Sequence, residues 1–291
     1  MSTMNRRRAP RLCGAALALA AGLAVAQTAA DAPPVRQALR VCQDPNNLPF
    51  SDTKGQGFEN KLAELFAKEL GLPVTYYSFP QRMAFIRNTL RYKLPGEDYR
   101  CDIVMGVPAG FDQVAATRPY YRSTYVLVFP KGKGLDGVRD SGDLLKLAPE
   151  RLAKLRIGLY DRTPASEWMA RHRLLDQAVP YHILNADPDQ YPGEIIEKDL
   201  ASGRLDAAIV WGPIGGYFAK RVRQPELAVV PMVPEPGLKF DYAMAMGVRH
   251  GEPQWKQQVE ALIDKRRAEI QAILREYGVP LVEEPASAPA R

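Results

Sequence analysis

Two rhythms of apolar residues alternate along the chain. Leu39-Arg40-Val41-Cys42 reads as a short strand, stopped by the turn-forming run Asp44-Pro45-Asn46-Asn47. From Gly57 to Leu70, the residues Phe58, Leu62, Leu65, Phe66 and Leu70 recur at the helical period. They predict an amphipathic helix that Gly71 terminates. Val74 to Phe79 predicts a second strand, and Arg82 to Tyr92 a second helix with Phe85, Ile86, Thr89 and Leu90 on one face. Residues 93–99 read as a loop. Asp102 to Val107 reads as an apolar strand of the kind that parallel sheets bury on both faces. This β-α-β-α-β order predicts a doubly wound α/β lobe.

The segment Cys101 to Lys131 then gives a buried strand, a loop, and Arg118-Pro119-Tyr120-Tyr121 leading into another strand. Beyond it the pattern restarts. Strands are expected at Leu155 to Tyr160, Pro180 to Leu184, Leu205 to Trp211, Leu227 to Pro231 and Phe240 to Val248. Helices are expected at Pro164 to Leu175, Glu194 to Ala201, Gly215 to Arg221 and Trp255 to Tyr277. Gly278 and Pro280 stop the last helix, and the Pro/Ala-rich run 283–291 is expected to be a disordered tail.

Charge changes the picture only at the amino terminus. Arg6, Arg7, Arg8 and Arg11 precede the apolar run Leu12 to Val25, and Ala24-Val25-Ala26 offers a cleavage site, so residues 1–26 read as a secretory signal peptide. Without them the chain carries 35 basic and 33 acidic side chains, and the net charge falls from +6 to +2. The basicity is therefore a targeting feature, and nucleic acid is not an expected partner. No other stretch approaches the roughly 20 apolar residues of a membrane span.

A two-lobe α/β protein binds ligands outside the carboxyl ends of its strands. The loops expected there are 43–51, 80–82, 106–112, 161–166 and 211–215. Asp44, Asn46 and Asn47 are candidates to bond a polar ligand, the alternative being turn residues that bond their own backbone. Phe50 is a candidate wall or a core ring, and Arg82 is the cation best placed to meet an anion. Thr163-Pro164 is a good N-cap and N1 pair, so free N–H groups would point toward the cleft as an anion site, the alternative being simply a well-capped helix. Trp211 ends a strand at the mouth, and Pro108 and Tyr121 complete the candidate set. His172, His182 and His250 lack metal-ligand spacing, and no nucleophile motif or phosphate loop is present. No catalytic group, metal or cofactor is expected, and Glu59 or Asp112 would be the acid/base of an alternative enzymatic reading.

From Leu39 to Pro280 the sequence resembles the family 3 extracellular solute-binding proteins. The resemblance rests on LRVCQDPNNLPF, GFENKLAELFAKELG, CDIVMG and RPYYRSTYVLV in that order. It is more specifically similar to the binding-protein-like J-type proteins associated with quinoprotein alcohol (methanol) dehydrogenases. That similarity rests on DPNNLPFS (44–51), GFENK (57–61), PQRMAFIRNTL (80–90), MGVPAGFDQV (105–114) and TRPYYRSTYV (117–126). The resemblance implies the type II periplasmic fold, two lobes with mostly parallel doubly wound sheets, joined by two strand crossings. Lobe 1 would comprise 38–126 plus 236–282, and lobe 2 127–235. In that fold the strands of Cys42 and Cys101 are neighbours, so a disulfide is expected in the periplasm, with two buried thiols as the alternative.

One position departs from the amino-acid-binding pattern. Aligned on Pro119-Tyr120-Tyr121, Gly110 stands where such relatives carry the arginine that grips the ligand's α-carboxylate, a forked contact that glycine cannot make. Three readings follow. The first is an accessory factor that binds a quinoprotein alcohol dehydrogenase or its cytochrome c and assists its maturation or activation. The second is a receptor that delivers a small non-amino-acid solute to an ABC permease. The third is a dehydratase-like enzyme using Glu59 or Asp112.

Overall fold

The computed structural model describes residues 36–81, 84–183, 187 and 189–283. The expected signal peptide, Arg82, and all but the first residue of the expected tail lie outside the described residues. In chain order the strands are β1 (Leu39–Gln43), β2 (Asn46–Asn47), β3 (Ser51–Asp52), β4 (Val74–Ser78), β5 (Ile103–Pro108), β6 (Ala115–Ala116), β7 (Tyr121–Pro130), β8 (Ile157–Tyr160), β9 (Ala178–Tyr181), β10 (Ala207–Trp211), β11 (Leu227–Pro231) and β12 (Asp241–Val248). The helices are α1 (Phe58–Leu70), α2 (Phe85–Asn88), α3 (Ser141–Leu144), α4 (Pro149–Leu152), α5 (Pro164–Arg171), α6 (Gly212–Arg221), α7 (Pro253–Lys265) and α8 (Arg267–Glu276). A π-helical turn spans Ile195–Leu200.

The sheet runs β4-β1-β5-β12-β7-β10-β8-β9, with β11 paired to β7 and β6 to β12. At one end β4, β1 and β5 are parallel, and at the other β10, β8 and β9 are parallel. The antiparallel strands β12 and β7 join the two sets. In each set the chain passes from the middle strand to one neighbour through a helix and then returns to the other side. The strand order therefore reverses at β1 and again at β8, and each reversal opens a crevice at the carboxyl ends. This is the two-lobe α/β architecture predicted from the pattern.

Strand β7 spans both sets. Its residues Tyr121 to Thr124 pair with β12, and Tyr125 to Val128 pair with β10. On the first side Phe58, Leu62 and Phe66 of α1 pack with Ile103, Met105, Trp255 and Val259. On the second, Trp168 and Met169 of α5 pack with Leu127, Phe129, Leu159 and Ile209. At the junction Gly216 of α6 meets the backbone at Gly278, and a Cβ at Gly216 would collide with the Gly278 carbonyl oxygen. Tyr217 and Tyr277 stack beside that contact, with centroids 5.6 Å apart.

Several boundaries differ from the pattern. The helix expected over 82–92 is a single described turn that ends where Thr89 leaves helical geometry; its hydroxyl donates to the Phe85 carbonyl and Arg91 N reaches back to Ile86 O. The helix expected over 255–277 starts at Pro253 and breaks at Arg266, whose guanidinium binds Glu69 on α1 and Glu269. The second-set helix expected to begin at Gly215 begins at Gly212, and the one expected at 194–201 is the π-helical turn. No helix among the described residues is long and apolar enough to cross a membrane.

Cys42 and Cys101 form a disulfide with Cα atoms 5.3 Å apart, as the neighbouring strands suggest. It lies beside a buried ionic cluster. Asp102, 1% exposed, accepts from Arg40 Nε at 2.7 Å and from Arg249 Nη2 at 2.5 Å. Arg249 also donates to the carbonyl oxygens of Cys101 and Leu90 and to Glu252. Burial pushes the Asp102 carboxyl up, but the two guanidinium groups outweigh it and hold the carboxyl below its ordinary range. Removing one partner of such a pair costs about 3–5 kcal/mol. We expect Asp102→Ala to lower the unfolding free energy by about that amount in urea titrations. Closing a loop with a sequence separation of 59 residues contributes about 4 kcal/mol in the chain-entropy account. A Cys42→Ala/Cys101→Ala variant should accordingly lose about 4 kcal/mol while keeping its far-UV circular dichroism.

Candidate functional site

A cleft of about 370 Å³ opens where the carboxyl ends of the two parallel sets face each other. It is lined by Asp44, Asn46 and Asn47 after β1, Pro80 and Gln81 after β4, Tyr160 and Thr163 around the end of β8, and Trp211 at the end of β10. Tyr125 rises from the crossing strand, and His182, Ile183, Gln190 and Tyr191 come from the segment after β9.

Five of the candidates, Asp44, Asn46, Asn47, Thr163 and Trp211, line this one cleft. Much of their polarity is already used. The Asp44 carboxylate accepts from its own loop, from Asn46 N at 2.8 Å, and also from Gln81 N. Asn47 Nδ2 donates to Gln81 Oε1 at 2.6 Å, tying the β1 loop to the β4 loop. Thr163 caps α5 by position only, since its hydroxyl donates to the Tyr160 carbonyl at 2.7 Å. The DPNNLPFS loop is strapped to the start of α1, where Phe58 N donates to Pro49 O and Glu59 N to Phe50 O.

The other candidates stand elsewhere. Phe50 packs edge-on against Phe58, with centroids 5.4 Å apart, as a core ring. Pro108 lines a separate cavity of about 250 Å³ with Phe85, Ile86 and Phe111. Tyr121 is 5% exposed among Phe58 and Tyr120, and its hydroxyl has no hydrogen-bond partner among the described residues. Arg82 lies outside the described residues. Gly110 occupies an exposed turn closed by Phe111 N to Pro108 O at 3.1 Å, with φ +80°. That left-handed backbone favours glycine, and a Cβ there would meet open space. No group of three His, Cys, Asp or Glu among the described residues is placed to hold a metal ion.

The cleft is also more aromatic than the pattern suggested. Tyr125 lies 5.5 Å from Trp211 between ring centroids, and Tyr242 completes that cluster at 5.9 Å from Trp211. Tyr160 and Tyr191 approach from the other wall, their hydroxyls donating to Pro192 O and Glu197 Oε2 at 3.0 and 2.9 Å. Position at the end of an apolar run pointed to Trp211. Tyr125 sits inside such a run and Tyr191 in a loop, so neither carried a signal.

Glu59 is the most perturbed acid near these loops. It stands in the first turn of α1, and its carboxyl fills the space over Gly106 that a Cβ would need. Burial, aided by the Asp44 charge, pushes the carboxyl up to about 8. The folded protein therefore holds a proton that the unfolded chain releases near pH 4.5. Stability should fall as pH rises from about 4.5 to 8 and level off above, by a few kcal/mol at most. Glu59→Gln should flatten this slope, matching the parent near pH 5 and exceeding it near pH 9 in urea titrations. Equal slopes for the two proteins would remove Glu59 as the cause.

No family model matches the chain. Among curated proteins, protein MoxJ of Paracoccus denitrificans is 27% identical over 94% of this chain and 97% of its own length. Among solved structures, an ancestral cationic amino-acid solute-binding protein is 21% identical at a TM-score of 0.62, over 84% of this chain and 96% of its own, which speaks to the fold alone. The periplasmic binding protein XoxJ from Methylobacterium extorquens AM1 is 37% identical, with a TM-score of 0.68, over 84% of this chain and all of its own. With that identity over the whole of a solved relative, on the fold just described, the chain belongs to the MoxJ/XoxJ family of periplasmic binding proteins.

Proposed function

We propose that this chain is a periplasmic accessory factor of a pyrroloquinoline-quinone-dependent alcohol dehydrogenase. It binds the dehydrogenase or its cytochrome c and assists maturation or activation, without an enzymatic reaction of its own. The observation that carries this reading is the full-length likeness to XoxJ, joined to the exposed Gly110 turn. A forked charge-assisted contact to a carboxylate contributes about 1.5–3 kcal/mol. Glycine in an outward turn forfeits it, which weighs against ordinary amino-acid uptake. Export through the leader 1–26 and the lobe division into 38–126 with 236–282 and 127–235 belong to the same proposal. The change of β7 partners between Thr124 and Tyr125 supports that division.

The receptor reading, delivery of a small non-amino-acid solute to an ABC permease, is favoured by the built aromatic cleft. The dehydratase-like reading has less support, since Glu59 and Asp112 stand on separate elements and neither lines that cleft. A tagged copy captured from periplasmic extract should recover a quinoprotein dehydrogenase or its cytochrome c. Deletion of the gene should lower quinone-dependent alcohol oxidation without lowering the amount of dehydrogenase polypeptide. Recovery of permease subunits alone, with alcohol oxidation intact, would overturn the accessory reading.

A further inference from the structure

The chemistry of the cleft points to a ligand class. Four aromatic rings, Tyr125, Tyr160, Tyr191 and Trp211, line one cavity of about 370 Å³ together with Ile209, Val210 and Ile214. That volume suits a small molecule. The Tyr160 and Tyr191 hydroxyls are committed to Pro192 O and Glu197, so these residues offer a ligand ring carbon rather than a free donor. Asp44 is the one carboxylate or permanent cation among the described lining residues, and no lysine or arginine is among them. The cations around the Tyr191 wall are paired, Lys198 with Glu194 and Arg221 with Glu197, each at 3.0 Å, and Lys198 Nζ also stands 5.6 Å from the Tyr191 ring centroid, so that ring already receives a cation on one side. An anion would meet the Asp44 charge and find no described cation to hold it. A cation with an apolar surface would meet four aromatic side chains along the walls and one negative charge.

We propose that this cleft is a receptor site for a small substituted-ammonium cation, held by the rings of Tyr125, Tyr160, Tyr191 and Trp211 with Asp44 as the long-range counter-charge. The assignment goes beyond the accessory role and does not rest on it, because a dehydrogenase partner can dock with the cleft filled or empty. Ring stacking and dispersion would hold an uncharged molecule of the same shape as well, so charge is the property to isolate.

The test is calorimetric titration of the purified protein with choline and with its uncharged carbon isostere, 3,3-dimethylbutan-1-ol. Choline should bind at least about tenfold more tightly than the isostere, the margin expected of a desolvated aromatic cage. Trp211→Leu should abolish the choline signal. Tyr191→Leu should weaken it, and Tyr191→Phe, which keeps the ring, should restore it. Thermal melts separate lost binding from lost folding, and the Tyr191 pair keeps the test decisive if Trp211→Leu fails to fold. Equal affinity for the two isosteres, or binding of neither, would overturn the assignment. So would preferential binding of glutamate that disappears in Arg82→Ala, which would make the cleft an anion site. Any of these results leaves the dehydrogenase capture experiment standing on its own.

Discussion

The backbone hydrogen bonds of one ten-residue strand, Tyr121–Pro130, hold the two halves of this molecule in register. Its first residues complete the sheet of β1, β4, β5 and β12, and its later ones complete that of β8, β9 and β10. Because the strand is continuous, the carboxyl ends of the two parallel sets are fixed opposite one another, and the cleft is the space between them. The glycine-to-glycine approach of Gly216 and Gly278 and the Ser123 Oγ bond to the Pro280 carbonyl fasten the same crossing from the side. A shift of one residue in β7 would reverse which side chains face each core.

The cleft loops are ordered by their own polar groups. Asp44, Asn47, Ser51, Asn60 and Thr163 bond backbone or neighbouring side chains at the very ends of the strands. Sequence strings that look like ligand contacts therefore serve largely to shape loops, and four aromatic side chains share the cavity lining with them. The Gly110 turn is exposed and is not among the residues that line the cleft, and four aromatic rings stand along the cleft walls.

The alternation of strand and helix patterns was readable because burial imposes it. Parallel strands covered on both faces are apolar throughout, and amphipathic helices repeat at 3.6 residues. Helix interruptions were not readable. The backbone leaves helical geometry at Thr89 and Arg266, where the side chains bond the Phe85 carbonyl and Glu69, contacts that the apolar period does not report. The candidate site was partly legible: loops after β1, β4, β8 and β10 were identified by topology, and five named residues meet in one cavity. Tyr125 escaped because it lies inside an apolar run and Tyr191 because it lies in a loop, whereas Tyr160 ends its run as Trp211 does and could have been named on the same ground.

By itself the sequence determined the strand and helix succession, the family resemblance, the leader-like amino terminus and the glycine at position 110, since each is written in residue order or spacing. Tertiary structure alone decided that Cys42 and Cys101 are bonded, that Asp102 is held between Arg40 and Arg249, and that Phe50, Pro108 and Tyr121 stand away from the cleft. It also decided that four rings distant in the chain line one cavity. These are matters of which side chains β7 and its neighbours bring face to face, and that depends on long-range strand register, which no local pattern specifies.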